Sequence, residues 1–147
     1  MARIKSVPSV TSRFIAPVLL VLSVDRELNR IVKQAAGWQW TVITRDIHEL
    51  PGLVREPDLR LAVFDDQSVA APDRGWALAQ IRRCASNASI VYVAGQHDPD
   101  NERQARARGV LFYTSKPLMA ADTGLLLERL HRMHSSSRGP GPEWITR

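Results

Sequence analysis

The sequence has one cysteine, Cys84, in 147 residues, and this scarcity excludes two kinds of site. A single cysteine cannot form an internal disulfide or supply a zinc site built on cysteines. The four histidines show no metal-ligand spacing with carboxylates or with the cysteine. We therefore predict no metal site of the His or Cys type, and we expect Cys84 to be a half-buried helix residue.

Long apolar runs are also missing. Residues 14–24 follow Arg3, Lys5 and Arg13, an arrangement similar to the basic start and apolar middle of a signal peptide. No small-residue cleavage site follows, and the run is too short to cross a bilayer. The segment is better interpreted as a buried strand, and we expect a cytoplasmic protein with no membrane partner.

Motifs for phosphate loops and for nucleic acid are absent too. No glycine-rich or Ser/Thr-rich loop follows the first predicted strand, so a small-ligand or flavin-binding module is a remote alternative. The net charge of +5 is too small to indicate nucleic acid by itself. Arg103, Arg106 and Arg108 give one basic helix, but without interleaved aromatics or a DNA-reading motif, so no nucleic-acid partner is expected.

The length and the composition, 44% apolar and 24% charged, are typical of one globular domain. Residues 1–16 contain a proline and no sustained periodicity, which predicts a flexible N-terminal arm. Residues 135–147 are polar and rich in Gly and Pro, which predicts a flexible tail or linker. The domain is therefore predicted over residues 17–134.

Apolar runs of strand length alternate with helical periodicity along that domain. Strands are predicted at Val18–Leu22, 40–44, 61–64, 90–93 and 110–113, and helices at 26–36, 47–54, 74–85, 98–109 and 118–134. The first and third strands are apolar on both faces, which is typical of central strands in a covered parallel sheet. Five strands that alternate with five helices indicate right-handed βαβ units and predict an α/β fold with a doubly wound five-stranded parallel sheet.

Ligands of open α/β sheets bind beyond the carboxyl ends of the strands. Four groups of residues follow strands at that edge: Ser23-Val24-Asp25, Asp65-Asp66, Ala94-Gly95 and Ser115-Lys116-Pro117. They are the candidate site residues.

The residues around these strand ends resemble the receiver domains of response regulators. Residues 112–117, Phe-Tyr-Thr-Ser-Lys-Pro, resemble the strongest local signature of that family, an aromatic shortly before a Lys-Pro pair. Two further stretches are similar to that family. They are Pro57-Asp58-Leu59, before a strand that ends in aspartate, and Ala107-Arg108-Gly109, before the fifth strand. The resemblance covers most of the chain and implies the flavodoxin-like, CheY-like (βα)5 fold.

The resemblance implies an aspartate that is phosphorylated by a partner kinase, a magnesium ion held by an acidic pair, a hydroxyl after the fourth strand and a lysine after the fifth. In this sequence the acceptor position is Asp65 or Asp66, and spacing does not decide between them. Lys116 has the position that contacts the phosphoryl group. The two switch positions are Ala94 and Tyr113.

The acidic pair is lost, because its positions fall on Ser23 and Val24 and leave Asp25 as the nearby carboxylate. Ala94 also lacks the hydroxyl. We therefore expect weak magnesium binding, no other cofactor and no enzymatic activity, as in a pseudo-receiver that acts as a protein-interaction module of a phosphorelay. The alternative is a receiver that is still phosphorylated on Asp65 or Asp66.

The expected partners are a histidine kinase, another signalling protein or an output domain, and a homodimer is left open. The expected contact surface is the face formed by the predicted fourth helix, fifth strand and fifth helix, where Arg103, Arg106 and Tyr113 lie.

Overall fold

The computed structural model describes residues 16–53 and 58–138. The predicted N-terminal arm up to residue 15 and residues 139–147 of the predicted tail lie outside this range. No helix in the described part of the chain is long and apolar enough to span a membrane.

Five parallel strands form one sheet in the order β2-β1-β3-β4-β5. Their bounds are β1 Val18–Leu22, β2 Thr41–Thr44, β3 Leu59–Asp65, β4 Ser89–Ala94 and β5 Phe112–Ser115. The helices are α1 Arg26–Ala36, α2 Arg74–Cys84, α3 Pro99–Ala107 and α4 Ala120–Arg138, with a 3-10 helix at Ile47–Leu53. The predicted fold class is confirmed, and the two strands expected to be central, β1 and β3, are both internal.

Successive strand residues point to opposite faces of the sheet, so each strand contributes to two separate cores. On one face Leu19, Val21 and Val63 pack against buried residues of α1 and α4. On the other face Leu20 and Phe64 pack against the 3-10 helix and α2. Because both faces are covered, the central strands are apolar almost throughout.

The helix α1 shows how local sequence fixes the start of an element beside the site. Asp25 is its N-cap, and Oδ1 of Asp25 accepts hydrogen bonds from the backbone N–H groups of Glu27 and Leu28 at 2.9 and 3.3 Å. The helix ends at Gly37, whose φ of 56° lies in the left-handed region that favours glycine.

Some elements differ in type or in bounds from the sequence-based prediction. The second predicted helix is a 3-10 helix, consistent with Pro51 and Gly52, which disfavour a regular α-helix. The fifth strand begins at Phe112 instead of residue 110, because Gly109 has a φ of 94° and the chain is still turning there.

The last helix also departs from prediction, because the spacing of Leu126, Leu130 and Met133 in the sequence predicts that these three residues form its apolar stripe. It buries Leu127 and Leu130, whereas Met133, which was predicted to belong to the stripe, is 48% exposed. It continues to Arg138, four residues beyond the predicted end.

Candidate functional site

The carboxyl ends of β1, β3 and β5 bring four predicted site residues together. Ser23 and Asp25 follow β1, Asp65 ends β3, and Lys116 directly follows β5. The peptide bond from Lys116 to Pro117 is cis. Asp25 and Lys116 are 91 positions apart in the sequence. The four residues meet because parallel strands present the same end at one edge of the sheet.

The carboxylate of Asp65 is enclosed, with the residue only 1% exposed. Its Oδ2 accepts hydrogen bonds from Ser23 Oγ at 2.6 Å, Lys116 Nζ at 3.0 Å and Ser68 Oγ at 3.4 Å. Its Oδ1 accepts one from the backbone N–H of Gln67 at 3.0 Å. Both oxygens therefore have donors from the chain itself, as a buried carboxylate requires.

The ammonium of Lys116 joins two carboxylates. It donates to Asp25 Oδ2 at 2.8 Å, to Asp65 Oδ2 at 3.0 Å and to Gln67 Oε1 at 2.9 Å, which uses all three of its protons. Burial alone would lower the pKa of Lys116, but hydrogen bonds and charges from Asp25 and Asp65 outweigh it and raise the pKa. The hydrogen bond from Lys116 is likewise the largest effect that lowers the pKa of Asp25.

The residues at the two acidic-pair positions offer little to a metal ion. Val24 has no side-chain donor atom, is 70% exposed, and uses its backbone N–H to bind Ser68 Oγ at 3.0 Å. The hydroxyl of Ser23 donates to Asp65 and accepts from the N–H of Asp25 at 3.0 Å. Within residues 16–53 and 58–138, no group of three or more His, Cys, Asp or Glu side chains is arranged to hold a metal ion.

Asp66 belongs to a different set of contacts from its neighbour Asp65. Its Oδ2 accepts from Tyr92 Oη at 2.9 Å, and its Oδ1 accepts from the backbone N–H of Gly95 at 2.9 Å. The guanidinium of Arg74 lies 3.7 Å from Oδ2 and donates through Nε to the Asp66 carbonyl at 3.1 Å. The carboxylate of Asp66 thus ties the end of β3 to β4 and to the loop that follows β4.

Tyr113 lies in the core beside this cluster. It is 8% exposed, stacks on Tyr92 with ring centroids 5.1 Å apart, and accepts a hydrogen bond from Asn101 Nδ2 at 3.1 Å. The same amide nitrogen lies 3.1 Å from Tyr92 Oη. Burial is the largest effect that raises the pKa of Tyr92, and the nearby Asp66 carboxylate raises it further. Tyr113 and α3 are therefore held together through Asn101.

The predicted contact surface needs correction on two points. Tyr113 is buried and offers little of its side chain to a partner on this surface. Arg103 and Arg106 are exposed but paired within α3, with Asp100 and Glu102, both at 2.9 Å. Because these charges are neutralised locally, α3 presents less positive potential than its arginines suggest.

Ala94, at the position where the receiver resemblance expects a hydroxyl, is fully buried and has no hydroxyl. The next residue, Gly95, approaches Gln67 so closely that a Cβ at position 95 would collide with the Gln67 side chain. Gln67 also accepts from Lys116, so a side chain at position 95 would disturb the lysine. Gly95 therefore contacts both groups of residues. Its N–H donates to Asp66, and it lies against Gln67, which shares Lys116 with Asp65.

Several residues of the site are not identified by the sequence argument. Gln67 and Ser68 have a usable signal, because they directly follow the candidate acceptor residues. Tyr92 and Asn101 have none, because a tyrosine in an apolar strand and an asparagine in a polar helix are ordinary in those places.

Comparison with known proteins identifies the fold through solved structures alone. No protein-family model matches the sequence. No curated protein matches it either. Solved structures do match with a probability of 1.00, and one is a response regulator from Thermotoga maritima, with a TM-score of 0.70 and 17% identity, covering 80% of this chain and 99% of that one.

Two further matches are the signal receiver domain of an HD domain-containing protein and a longer protein, NtrX. The receiver domain of an HD domain-containing protein from Pseudomonas fluorescens Pf-5 has a TM-score of 0.68 and 20% identity, over 84% of this chain and 99% of that one. NtrX from Brucella abortus has a TM-score of 0.69 and 19% identity over 84% of this chain, which spans 29% of that chain. The chain therefore has the CheY-like fold of response-regulator receiver domains, as predicted.

Proposed function

We propose that the chain is a receiver-like domain of two-component signalling that acts through protein contacts, as a pseudo-receiver without normal phosphotransfer. The observation that carries this proposal is the internal closure of the acidic pocket, in which Lys116 and Ser23 both donate to Asp65. The likeness of the fold to receiver domains supports the proposed pathway class. A cytoplasmic location and the lack of enzymatic activity are part of the same proposal.

Asp65 is the better candidate for the acceptor position. Its carboxylate contacts Lys116, the lysine that the receiver resemblance assigns to the phosphoryl group. Asp66 instead accepts from Tyr92 and from the backbone of Gly95, contacts that serve the packing of β3 against β4. We assign Asp65 to the pocket and Asp66 to a structural role.

The side chains around Asp65 do not fit a magnesium ion. Magnesium takes near-octahedral oxygen ligands and needs carboxylates with free lone pairs. Here Val24 offers no side-chain ligand, Oδ2 of Asp25 binds Lys116, and Oδ2 of Asp65 receives donors from three side chains. Lys116 supplies one positive charge between two carboxylates, so it replaces part of the neutralisation that a metal would give.

Phosphorylation of Asp65 would be poorly supported in this setting. A phosphoryl group adds up to about two negative charges, and its transfer depends on cations placed around the equatorial oxygens. Asp25 would remain as a nearby negative charge, with Lys116 as the cation that binds both carboxylates. Ala94 adds no hydroxyl to hold the product.

The alternative is a receiver that is still phosphorylated on Asp65. Two observations favour it, since Lys116 is retained and the Asp25 side chain is 32% exposed and could reach a cation from solution. The two proposals differ in one measurable step, the transfer of a phosphoryl group to the chain.

A kinase assay tests the proposal directly. Histidine kinases from the same genome would be labelled with radioactive ATP and mixed with the chain, with complex formation followed separately. We expect a kinase that binds the chain to keep its label. Transfer of label to the chain, lost in Asp65→Asn, would instead support the alternative. Complex formation with output domains or with other signalling proteins would be measured separately, for the unaltered chain and for Asp65→Asn.

A further inference from the structure

A cleft separates α2 from α3 on the face of the sheet opposite α1 and α4. It holds a cavity of about 350 Å³. The start of α2 forms one wall, with Arg74, Gly75 and Leu78, and α3 forms the other, with Gln104 and Arg108. A cavity of this volume is large enough for a small ligand.

Arg108 lines the cleft without an acidic partner. The residue is exposed, and its side chain makes no hydrogen bond or ion pair within residues 16–53 and 58–138. Its guanidinium lies beside the backbone of Gly75, because a Cβ built at position 75 would be 3.0 to 3.2 Å from Cζ and the two Nη atoms. The missing side chain at position 75 therefore leaves the guanidinium room between the two helices.

Arg74 lines the same cleft from α2 and keeps most of its donors unused. Its Nε donates to the backbone carbonyl of Asp66 at 3.1 Å, and its Nη1 lies 3.7 Å from Oδ2 of Asp66, which is too long for a hydrogen bond. The Asp66 carboxylate already accepts from Tyr92 and from the N–H of Gly95. The Nη protons of Arg74 thus have no acceptor in the part of the chain that the structure describes.

The two guanidinium groups bring like charges to one small cavity. Two acidic residues, Asp98 and Asp100, line the same cavity, but both are engaged elsewhere. Asp98 caps α3 by accepting from the N–H of Asp100 at 3.1 Å, and Asp100 pairs with Arg103 at 2.9 Å. An anion between Arg74 and Arg108 would remove their repulsion and supply acceptors for their free donors.

The rest of the lining suits a small organic molecule. Part of it is apolar and part offers polar groups, which is typical of small-molecule sites. The side chain of Gln104 makes no hydrogen bond with any described residue, so its amide is available to a ligand. The apolar part is formed by Leu78, Ala105 and Pro72, and the polar part includes Tyr92 and Asn101.

We propose that the cleft between α2 and α3 binds a small organic oxyanion, a carboxylate or a phosphate ester, between the guanidinium groups of Arg74 and Arg108. Planar guanidinium groups match the geometry of both oxyanions. Neither Asp65 nor Lys116 lines this cavity, so the site is separate from the Asp65 pocket. The inference therefore does not rest on the proposed signalling function.

An NMR titration of the full chain, labelled with ¹⁵N, tests the site with two probes at constant ionic strength. Inorganic phosphate is one probe and succinate is the other. We expect saturable shifts of the backbone N–H signals of Gly75, Gln104 and Arg108 with at least one probe. A response to phosphate alone would identify a phosphate ester as the ligand class, and a response to succinate alone would identify a carboxylate.

Two variants remove the anion contact in different ways. Arg108→Gln should raise the Kd by at least about tenfold, because it removes a charge-assisted hydrogen bond. Gly75→Leu keeps both arginines but fills the space of the Arg108 guanidinium, and it should weaken binding as well. Arg83→Gln, which removes an exposed arginine at the other end of α2, is the matched control and should leave the Kd unchanged.

Thermal unfolding should be the same for Arg108→Gln and the unaltered chain, because the Arg108 side chain is exposed and makes no hydrogen bond or ion pair with the described residues. The absence of saturable shifts with both probes would overturn the inference. Shifts confined to the surroundings of Asp65 and Lys116 would also overturn it, since they would place the anion in the Asp65 pocket. The same Kd for Arg108→Gln, Arg83→Gln and the unaltered chain would have the same consequence.

Discussion

The hydroxyl of Ser23 lies 2.6 Å from Oδ2 of Asp65 and donates a hydrogen bond to it. Receiver resemblance assigns a metal-binding carboxylate to position 23, and a carboxylate there would repel Asp65 unless a cation lay between them. A neutral donor removes this repulsion and satisfies a buried acceptor. The pocket is therefore complete with its own side chains, since Lys116 supplies the positive charge.

This arrangement predicts a weak affinity for magnesium. The unaltered chain should give no saturable heat when titrated with millimolar magnesium, because Ser23 and Val24 supply no carboxylate. Ser23→Asp with Val24→Asp should produce saturable binding, whereas the matched pair Ser23→Ala with Val24→Ala should not. Saturable binding by the unaltered chain would show that the position assignment is wrong.

Asp66 should matter for stability, because its carboxylate is the acceptor for Tyr92 Oη and for the Gly95 N–H. Removing it leaves buried donors unpaired, at about 1–3 kcal/mol for each such group. We expect Asp66→Ala to lower the free energy of unfolding by about 2–4 kcal/mol in urea denaturation. Asp100→Ala, at an exposed surface pair, is the control and should change it by less than about 1 kcal/mol. Equal effects of the two substitutions would contradict a structural role for Asp66.

Stability should fall at alkaline pH partly because of Lys116. Its pKa is raised in the folded state, so its contribution is fully present below the unfolded-state value of 10.5 and is lost as pH rises through the folded-state pKa. Tyr92 has the same sign, because burial raises its pKa above 10.0 as well.

The unfolding free energy measured from about pH 8 to about pH 11.5 should therefore decline less steeply for Lys116→Met than for the unaltered chain. Lys33→Met, which removes an exposed lysine of α1, should keep the full decline. The same slope for all three proteins would mean that Lys116 is not linked to folding.

The sequence predicts much of the fold because the relevant signals are local. The apolar runs of β1 and β3 and the cap at Asp25 need no knowledge of the partner elements. The fifth strand and the apolar stripe of α4 are displaced from their predicted places, because a turn at Gly109 and the rotation of a helix depend on packing.

The site is predictable only in part, for a related reason. The topology of a parallel sheet brings Asp25, Asp65 and Lys116 to one edge, and the sequence anticipates this. It does not separate Asp65 from Asp66, because the direction of each side chain depends on the residue at which β3 ends. The bonds from Tyr92 and Asn101 to Asp66 and Tyr113 join β3, β4, α3 and β5, and no local pattern records them.

The most direct test of the closed pocket is incubation of the chain with acetyl phosphate and magnesium, followed by intact mass spectrometry without acid quenching. Asp65→Asn provides the background, and Ser23→Asp with Val24→Asp provides a variant with the acidic pair restored. The closed pocket predicts no added phosphoryl group on the unaltered chain, and an added phosphoryl group only on the variant with the restored acidic pair. A phosphoryl group added to the unaltered chain, and lost in Asp65→Asn, would contradict the account.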